Sequence, residues 1–513
     1  MRLSRNFWIL LLLTILTIFV NLGSMPLLDP DEPVYAETPK EMFLFNDFIS
    51  PQIYGQYWYD KPPMYYWLVA GAFKLFGVNE FAARFPSALL AVICVVVVYM
   101  SVSKLVSERA GIASGLVLAT SIEYFYLGKA AVTDITLTLF LTVSLLCFLQ
   151  KKYYLFYIFS GLATLTKGPI GFLFPGAIIF IWMAFTRRFN DLKHMKIPVG
   201  IILWAIVALP WYGVMYQVHG SDFTNGFIGV NNITRFTTAE HDKTSGWYFF
   251  IPVLIFGFFP WTALMFQSIK ASLKIKGTER HALLLFLNVW AAFIFLFFSI
   301  SSTKLVTYIL PVYPPLAILV GWYLDQCMEK YRFLAEGLVW PIFLTLLSVL
   351  LLGGLVAGSN LIPDITLGAI GLAVVLILMI LTVWYFLYNK EVKRAFWVQA
   401  IAMTITSIIL VTVLLPPIEN NFSTRSIAQA FVANYDGKSP VYVIKFLHPG
   451  FAFYTNKYGK EINSTEEIRN VISQSGQVYL VIRKSEYQGL SGSEQDSLAV
   501  LSQSNDKLLL FKQ

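Results

Sequence analysis

Charge is what this chain has least of. Of its 513 residues 13% are charged, against about 25% in soluble domains, and the mean hydropathy is +0.64. That scarcity excludes an ordinary soluble protein. Cysteine is almost absent too: Cys94, Cys147 and Cys327 are the three, each in or beside an apolar stretch, so no disulfide framework or cysteine metal site is expected. Fixed-period repeats and low-complexity tracts are missing, which argues against a solenoid or a disordered linker architecture.

What the chain has in excess is apolar runs of a length that crosses a hydrocarbon core of about 30 Å as helix. About thirteen spans are expected, near 7–25, 82–103, 109–127, 133–150, 153–166, 169–186, 197–216, 248–267, 282–300, 305–325, 337–357, 365–388 and 395–415. The first reads as an uncleaved anchor, because no small-x-small cleavage site and soluble mature domain follow it. With the N-terminus placed inside, nineteen of the 38 Lys and Arg residues fall in the N-terminus and inward loops, nine in outward loops and ten after residue 416. This bias fits the positive-inside rule and puts the C-terminal segment outside. The net charge of +8 then reflects topology, and nucleic acid is not an expected partner.

The fold class implied is an α-helical polytopic membrane protein. A membrane domain is expected over 1–416, with long outward loops at 26–80 and 217–247, and a smaller polar domain over 417–513. In the first loop, Glu41-Met42-Phe43-Leu44-Phe45 and Tyr65-Tyr66-Trp67-Leu68 suit short helices lying along the interface. The last segment carries β-type runs at 440–446 and 477–483 around a helix at 464–474, opened by Ser464-Thr465-Glu466-Glu467, so a small outer α/β domain is expected.

This topology gathers Asp31, Glu32, Asp60, Lys61, Arg84, Asp134, Lys167, Arg235, His241 and Lys304 at the outward face. Each has a structural alternative. Asp31 and Glu32, before Pro33, also suit the start of an interfacial helix; Lys61-Pro62-Pro63 also suits a rigid turn with a snorkelling lysine; Asp134 also suits an N-cap. Lys167-Gly168-Pro169 and Arg84-Phe85-Pro86 read as mostly structural junctions, His241 as a solvated loop residue, and Lys304 as a positional lysine at a helix end. Taken jointly, carboxylates and cations at one membrane surface suit a lipid bearing phosphate on an activated sugar. Cations neutralise the phosphate leaving group and a carboxylate accepts a proton from the nucleophile.

The residues also carry a family pattern. Leu28-Asp29-Pro30-Asp31-Glu32-Pro33-Val34-Tyr35-Ala36-Glu37 with Lys40-Glu41-Met42, then Tyr59-Asp60-Lys61-Pro62-Pro63, Arg84-Phe85-Pro86-Ser87, Thr133-Asp134, Thr166-Lys167-Gly168-Pro169, Ile233-Thr234-Arg235-Phe236 and Lys304-Leu305-Val306-Thr307-Tyr308-Ile309-Leu310-Pro311 occur in order. Over roughly residues 7–325 this resembles the bacterial C-type (GT-C) glycosyltransferases, the group of lipid A aminoarabinose transferase and the protein mannosyltransferases. The resemblance implies an enzyme of the bacterial plasma membrane that uses a polyprenyl-phosphate sugar on the outward face. It implies Asp31 as catalytic carboxylate and Asp134 as a second acid, with Glu32, Tyr35, Lys61, Arg84, Arg235, Lys304 and Tyr308 binding substrate. Direct displacement implies inversion at the sugar.

At three positions the pattern departs from the aminoarabinose transferases, where a glutamate stands at Asp60 and a Glu-His pair at Asn231 and Asn232; such residues can hold zinc. No metal or other cofactor is therefore assigned. The expected acceptor is lipid A phosphate, with a protein or another surface glycan as the alternative; a polyprenyl-lipid flippase is the non-enzyme alternative, though its hallmarks, repeats and midplane charges, are missing. Oligomeric state is left open.

Overall fold

The computed structural model describes residues 4–234, 237–238, 246–277, 279–330 and 338–512. The chain divides into two compact units. One comprises residues 1–20, 59–65 and 87–413, the other 21–58, 66–86 and 414–513. The unit that holds the C-terminal residues thus also takes in most of the first long loop, which the sequence reading assigned to the membrane domain.

The first unit is helical. Its helices are α1 (Arg5–Phe19), the greater part of α4 (Glu80–Leu105), α5 (Glu108–Ala119), α6 (Ile122–Lys129), α7 (Asp134–Leu149), α8 (Tyr153–Lys167), α9 (Ile170–Thr186), α10 (Ile197–Thr224), α11 (Phe250–Gly257), α12 (Thr262–Lys274), α13 (Glu279–Ile300), α14 (Tyr313–Lys330), α15 (Val339–Leu361), α16 (Thr366–Tyr388) and α17 (Val392–Ile409). Among the described residues, seven helical stretches are long and apolar enough to cross a membrane, or nine if the bent pairs α5/α6 and α11/α12 each form one span. Thirteen were expected. The remainder are α1, α7, α8 and α9, of 15, 16, 15 and 17 residues; at 1.5 Å per residue they reach about 23–26 Å, short of a full hydrocarbon core.

Backbone groups exposed at a bend in lipid need internal partners. Between α5 and α6, bent by 65°, Thr120 Oγ1 donates to the Leu116 carbonyl at 2.6 Å and Ser121 Oγ to that of Val117 at 2.7 Å. Helix pairing relies on small residues. A Cβ on Gly321 of α14 would collide with Ser114 and with the Ala110 carbonyl of α5, so glycine lets the two backbones approach closely. The same helix pair is tied by Arg109 Nε to Asp325 Oδ1 at 2.8 Å.

The second unit has α2 (Asp31–Leu44), most of α3 (Met64–Phe76), a small hairpin of β1 (Gln52–Ile53) and β2 (Gln56–Tyr57), and an α/β portion. That portion contains α18 (Arg425–Asn434), β3 (Val441–Ile444), α19 (His448–Thr455), β4 (Lys460–Ile462), α20 (Thr465–Ser473), β5 (Val478–Arg483), β6 (Leu498–Ser504) and β7 (Lys507–Lys512). The sheet order is β4-β3-β5-β7-β6, with β3 parallel to β4 and β5, and β7 antiparallel to β5 and β6. Side chains alternate across a strand. In β5, Val478, Leu480 and Ile482 join Ile468, Val471 and Ile472 of α20 on one face; Tyr479 and Val481 join Ile427, Phe431 and Phe451 on the other. A strand buried on both faces reads as the continuous apolar run seen in the sequence. Ser464 Oγ accepts the Glu467 amide at 3.2 Å and starts α20 where the capping pattern put it.

Polar bonds fasten the early segment of this unit to its late one. Asp29 N donates to the Phe422 carbonyl at 2.8 Å, Thr424 Oγ1 donates to Asp29 Oδ2 at 2.6 Å, and Tyr454 OH accepts Leu27 N at 2.8 Å. Lys40 Nζ reaches Glu37 at 2.8 Å and the carbonyls of Ala452 and Phe453 at 3.3 and 3.2 Å. Burial pushes the Asp29 carboxyl up to about 7, against the pull of Thr424 and Lys507, and pushes Glu37 up to about 7 against the pull of Lys40. Both groups hold their protons more tightly folded than unfolded. The stability they favour is therefore full at acid pH and is lost as pH rises from about 4 through about 7. Thermal melting of the purified protein should show falling stability across that range, with a shallower fall in Asp29→Asn.

Candidate active site

Two helices of nearly equal length build the centre of the site. The chain reverses at residues 150–152 between α7 and α8, so the first residue of α7, Asp134, returns to the level of the last residue of α8, Lys167. A carboxylate suits a helix N-terminus and an ammonium a C-terminus. The two meet across 33 positions, Lys167 Nζ lying 2.7 Å from Asp134 Oδ1, both largely buried. The ammonium also sits 4.7 Å from the Tyr308 ring centroid, a cation–π contact. Gly168, at φ +78°, ends α8; a Cβ there would stand 3.0 Å from Phe227 Cζ, so the turn beside Lys167 requires glycine.

Beside this pair lies a cavity of about 410 Å³. Asp60, Lys61 and Lys167 supply its charge, and Phe227, Phe297, Phe298 and Tyr308 much of its apolar wall. Lys61 Nζ is 3.0 Å from Asp60 Oδ1, held on the turn that Pro62 and Pro63 stiffen ahead of α3. Two ammonium groups on a largely apolar wall offer the chemistry for a phosphate attached to a hydrocarbon tail.

Asn231 and Asn232 line the same cavity. Their side-chain amides donate to the carbonyls five residues back, Asn231 to Gly226 at 3.0 Å and Asn232 to Phe227 at 2.6 Å, and Asn231 also reaches the Tyr59 carbonyl at 3.1 Å. Asn231 thereby ties the π-helical segment Asn225–Thr234 to the turn bearing Asp60 and Lys61. Among the described residues no three His, Cys, Asp or Glu side chains form a group able to hold a metal. Arg235 and His241 lie outside the described residues. Lys304 donates to the Ser301 carbonyl at 2.6 Å, and Ser301 and Thr303 line the cavity.

Glu32 and Arg84, expected as substrate ligands, have a different duty. In the second unit, Arg84 Nε and Nη2 grip Glu32 at 2.8 and 2.5 Å, while Nη1 and Nη2 donate to the carbonyls of Leu22, Met25 and Pro26 at 3.4, 2.6 and 2.7 Å. All five guanidinium donors are engaged within the protein. Glu32 Oε2 also accepts the Leu28 amide at 2.8 Å. The pair fixes the chain that leads into α2, so the structural alternative noted for Arg84 is the better description. Asp31 stands exposed on the first turn of that helix, and Tyr35 packs on Tyr66 at 6.0 Å between ring centroids.

The structure therefore brings together Asp134, Lys61 and Tyr308 with Lys167, a residue that sequence reasoning set aside as structural. Its signal was present in the matching lengths of α7 and α8, which fix Lys167 opposite Asp134.

Comparison with known proteins agrees with this architecture. Residues 60–213 match the family model for dolichyl-phosphate-mannose-protein mannosyltransferase. An uncharacterized protein of Aquifex aeolicus is 30% identical over 476 residues, 91% of this chain and 89% of that protein. An undecaprenyl phosphate-alpha-4-amino-4-deoxy-L-arabinose arabinosyl transferase of Edwardsiella ictaluri is 29% identical over 338 residues, 64% of this chain and 60% of that protein, so the match spans about three fifths of the transferase. In fold, the crystal structure of ArnT from Cupriavidus metallidurans bound to undecaprenyl phosphate aligns with a TM-score of 0.80 at 22% identity, covering 99% of this chain and 98% of that one. The archaeal oligosaccharyltransferase AglB from Archaeoglobus fulgidus aligns at 0.56 and 13%.

The fold defines a multi-pass membrane protein with the architecture of the ArnT crystal structure. This chain belongs to one family with the Aquifex aeolicus protein, and its sequence is similar to the lipid-linked glycosyltransferases represented by the aminoarabinose transferases and the protein mannosyltransferase model.

Arg84→Met leaves Glu32 buried without its cation. We expect a loss of about 3–5 kcal/mol, read as a lowered melting temperature of the detergent-purified protein, with Glu32→Gln/Arg84→Met milder than the single change.

Proposed function

We propose that the chain transfers a sugar from a polyprenyl-phosphate donor to an acceptor at the outward face of the bacterial plasma membrane, lipid A phosphate being the favoured acceptor. The observation that carries this reading is the cavity holding Lys61 and Lys167 on an aromatic wall, joined to the sequence similarity to lipid-linked glycosyltransferases. Lys61, Lys167, Lys304 and Arg235 offset the phosphate charge, and the Tyr308 ring packs against Lys167. The acceptor oxygen attacks the anomeric carbon opposite the phosphate, the carbon–oxygen bond to phosphate breaks, and polyprenyl phosphate leaves with the electron pair. Asp31 takes the acceptor's proton, or orients an acceptor phosphate already ionised, so the sugar inverts.

The role of Asp134 narrows in this scheme. Paired with Lys167, it holds that ammonium in register for the phosphate and takes no proton itself. Donors aimed at developing charge are worth about 10²–10³ in rate each, so a misplaced lysine is costly. The scheme calls for no cofactor. A second reading, transfer to protein hydroxyls, is supported by the mannosyltransferase family model over residues 60–213. Mass spectrometry of lipid A and of glycoproteins from cells with and without the gene separates the two.

Asp31→Asn should lower turnover by about 10²–10⁴ while polyprenyl-phosphate binding persists. Turnover at the wild-type rate in that variant removes the carboxylate from the mechanism.

A further inference from the structure

The helical unit has a second charged cavity, of about 490 Å³. It is formed at the α7–α8 and α9–α10 junctions and the start of α13. Phe148, Lys151, Trp182, Arg188, Asp191 and Arg280 are among its lining residues. Three helices connect it to the lysine cavity. α8 begins here at Tyr153 and ends there at Lys167; α9 begins there at Ile170 and reaches Trp182 here; α13 passes from Arg280 here to Phe297 there. From Arg280 to Phe297 the rise is about 25 Å at 1.5 Å per residue. The two cavities thus occupy opposite ends of the same helices.

We propose that this second cavity binds the headgroup of an anionic phospholipid. Three cations face it against one carboxylate, Asp191, among the described residues. A positive-inside bias alone needs only scattered cations; here Lys151 and Arg280, both exposed, and the half-buried Arg188 converge on a preformed hollow with a rigid aromatic side. Trp182 Nε1 donates to the Ala282 carbonyl at 2.9 Å, Phe148 packs edge-on against Trp182 at 5.7 Å, and Phe148 stacks on Phe286 at 5.6 Å. The Arg188 guanidinium lies 5.8 Å from the Trp182 ring centroid, so one residue of the wall also orients one of the cations. Phosphate meets Lys151, Arg188 and Arg280, while the glycerol and first acyl carbons run along Phe148 and Trp182. A free inorganic phosphate uses the cations and leaves the aromatic wall idle, which favours the lipid as the source of the anion. Basic hollows between helices at the inner face are suited to such headgroups.

The test is native mass spectrometry of the full-length detergent-purified protein titrated with short-chain phosphatidylglycerol, phosphatidylcholine and inorganic phosphate in parallel. Wild type should bind phosphatidylglycerol at least about tenfold more tightly than phosphatidylcholine, and Arg188→Gln/Arg280→Gln should remove most of that preference. Asp191→Asn, which deletes the opposing charge, should strengthen phosphatidylglycerol binding several-fold. Equal affinity for the two lipids, an unchanged preference in the double variant with its melting temperature intact, or displacement of phosphatidylglycerol by equimolar inorganic phosphate would each overturn the assignment.

Discussion

The helical unit depends on where it puts its charge, and the Asp134–Lys167 pair is the centre of that arrangement. A lone ammonium among Phe227, Phe298 and Tyr308 would be expensive to bury, and so would a lone carboxylate. At 2.7 Å each makes the other tolerable, with helix dipoles of favourable sign at both ends. Removing either partner strands the other. The near-equal lengths of α7 and α8 bring the two residues level.

From this constraint the unit's polarity follows. Charges avoid helix middles and collect at junctions, so the same helices terminate in a lysine cavity at one end and a cationic hollow at the other. Each combines ammonium or guanidinium groups with aromatic walls, which suits molecules that are part phosphate and part hydrocarbon. In the second unit, charge has been used for fastening: Arg84 spends every donor on Glu32 and three carbonyls, and Asp29 and Lys40 link early to late segments.

Much of this was legible in the sequence. Each expected span coincides with a helix or a bent pair, because long apolar runs in lipid have few alternatives to helix; four prove shorter than a full span, since apolar composition does not report where a helix ends. The strands at 441–444 and 478–483 and the capped helix at 465–473 announced themselves through apolar runs and Ser464. β6, β7 and α19 did not, their burial being decided by tertiary neighbours. Among site residues, the family pattern pointed to Lys61, Asp134 and Tyr308, which the structure brings together with Lys167. Lys167 was undervalued, since its importance lies in a partner 33 positions away. Arg84, which the family pattern offered as a substrate ligand, bonds Glu32 and three carbonyls, since a motif records that a residue matters without saying whether it touches substrate or backbone. The asparagines at 231 and 232 bind carbonyls of their own helix, and Asn231 also that of Tyr59.

The central claim, that the lysine cavity holds the phosphate of a polyprenyl lipid, is tested most directly by the dissociation constant of undecaprenyl phosphate for the wild type, Lys61→Ala and Lys167→Met. Loss of a charge-assisted hydrogen bond, about 1.5–3 kcal/mol, predicts binding roughly tenfold to a hundredfold weaker in each variant. Unchanged affinity in both, with the proteins folded, would contradict the account.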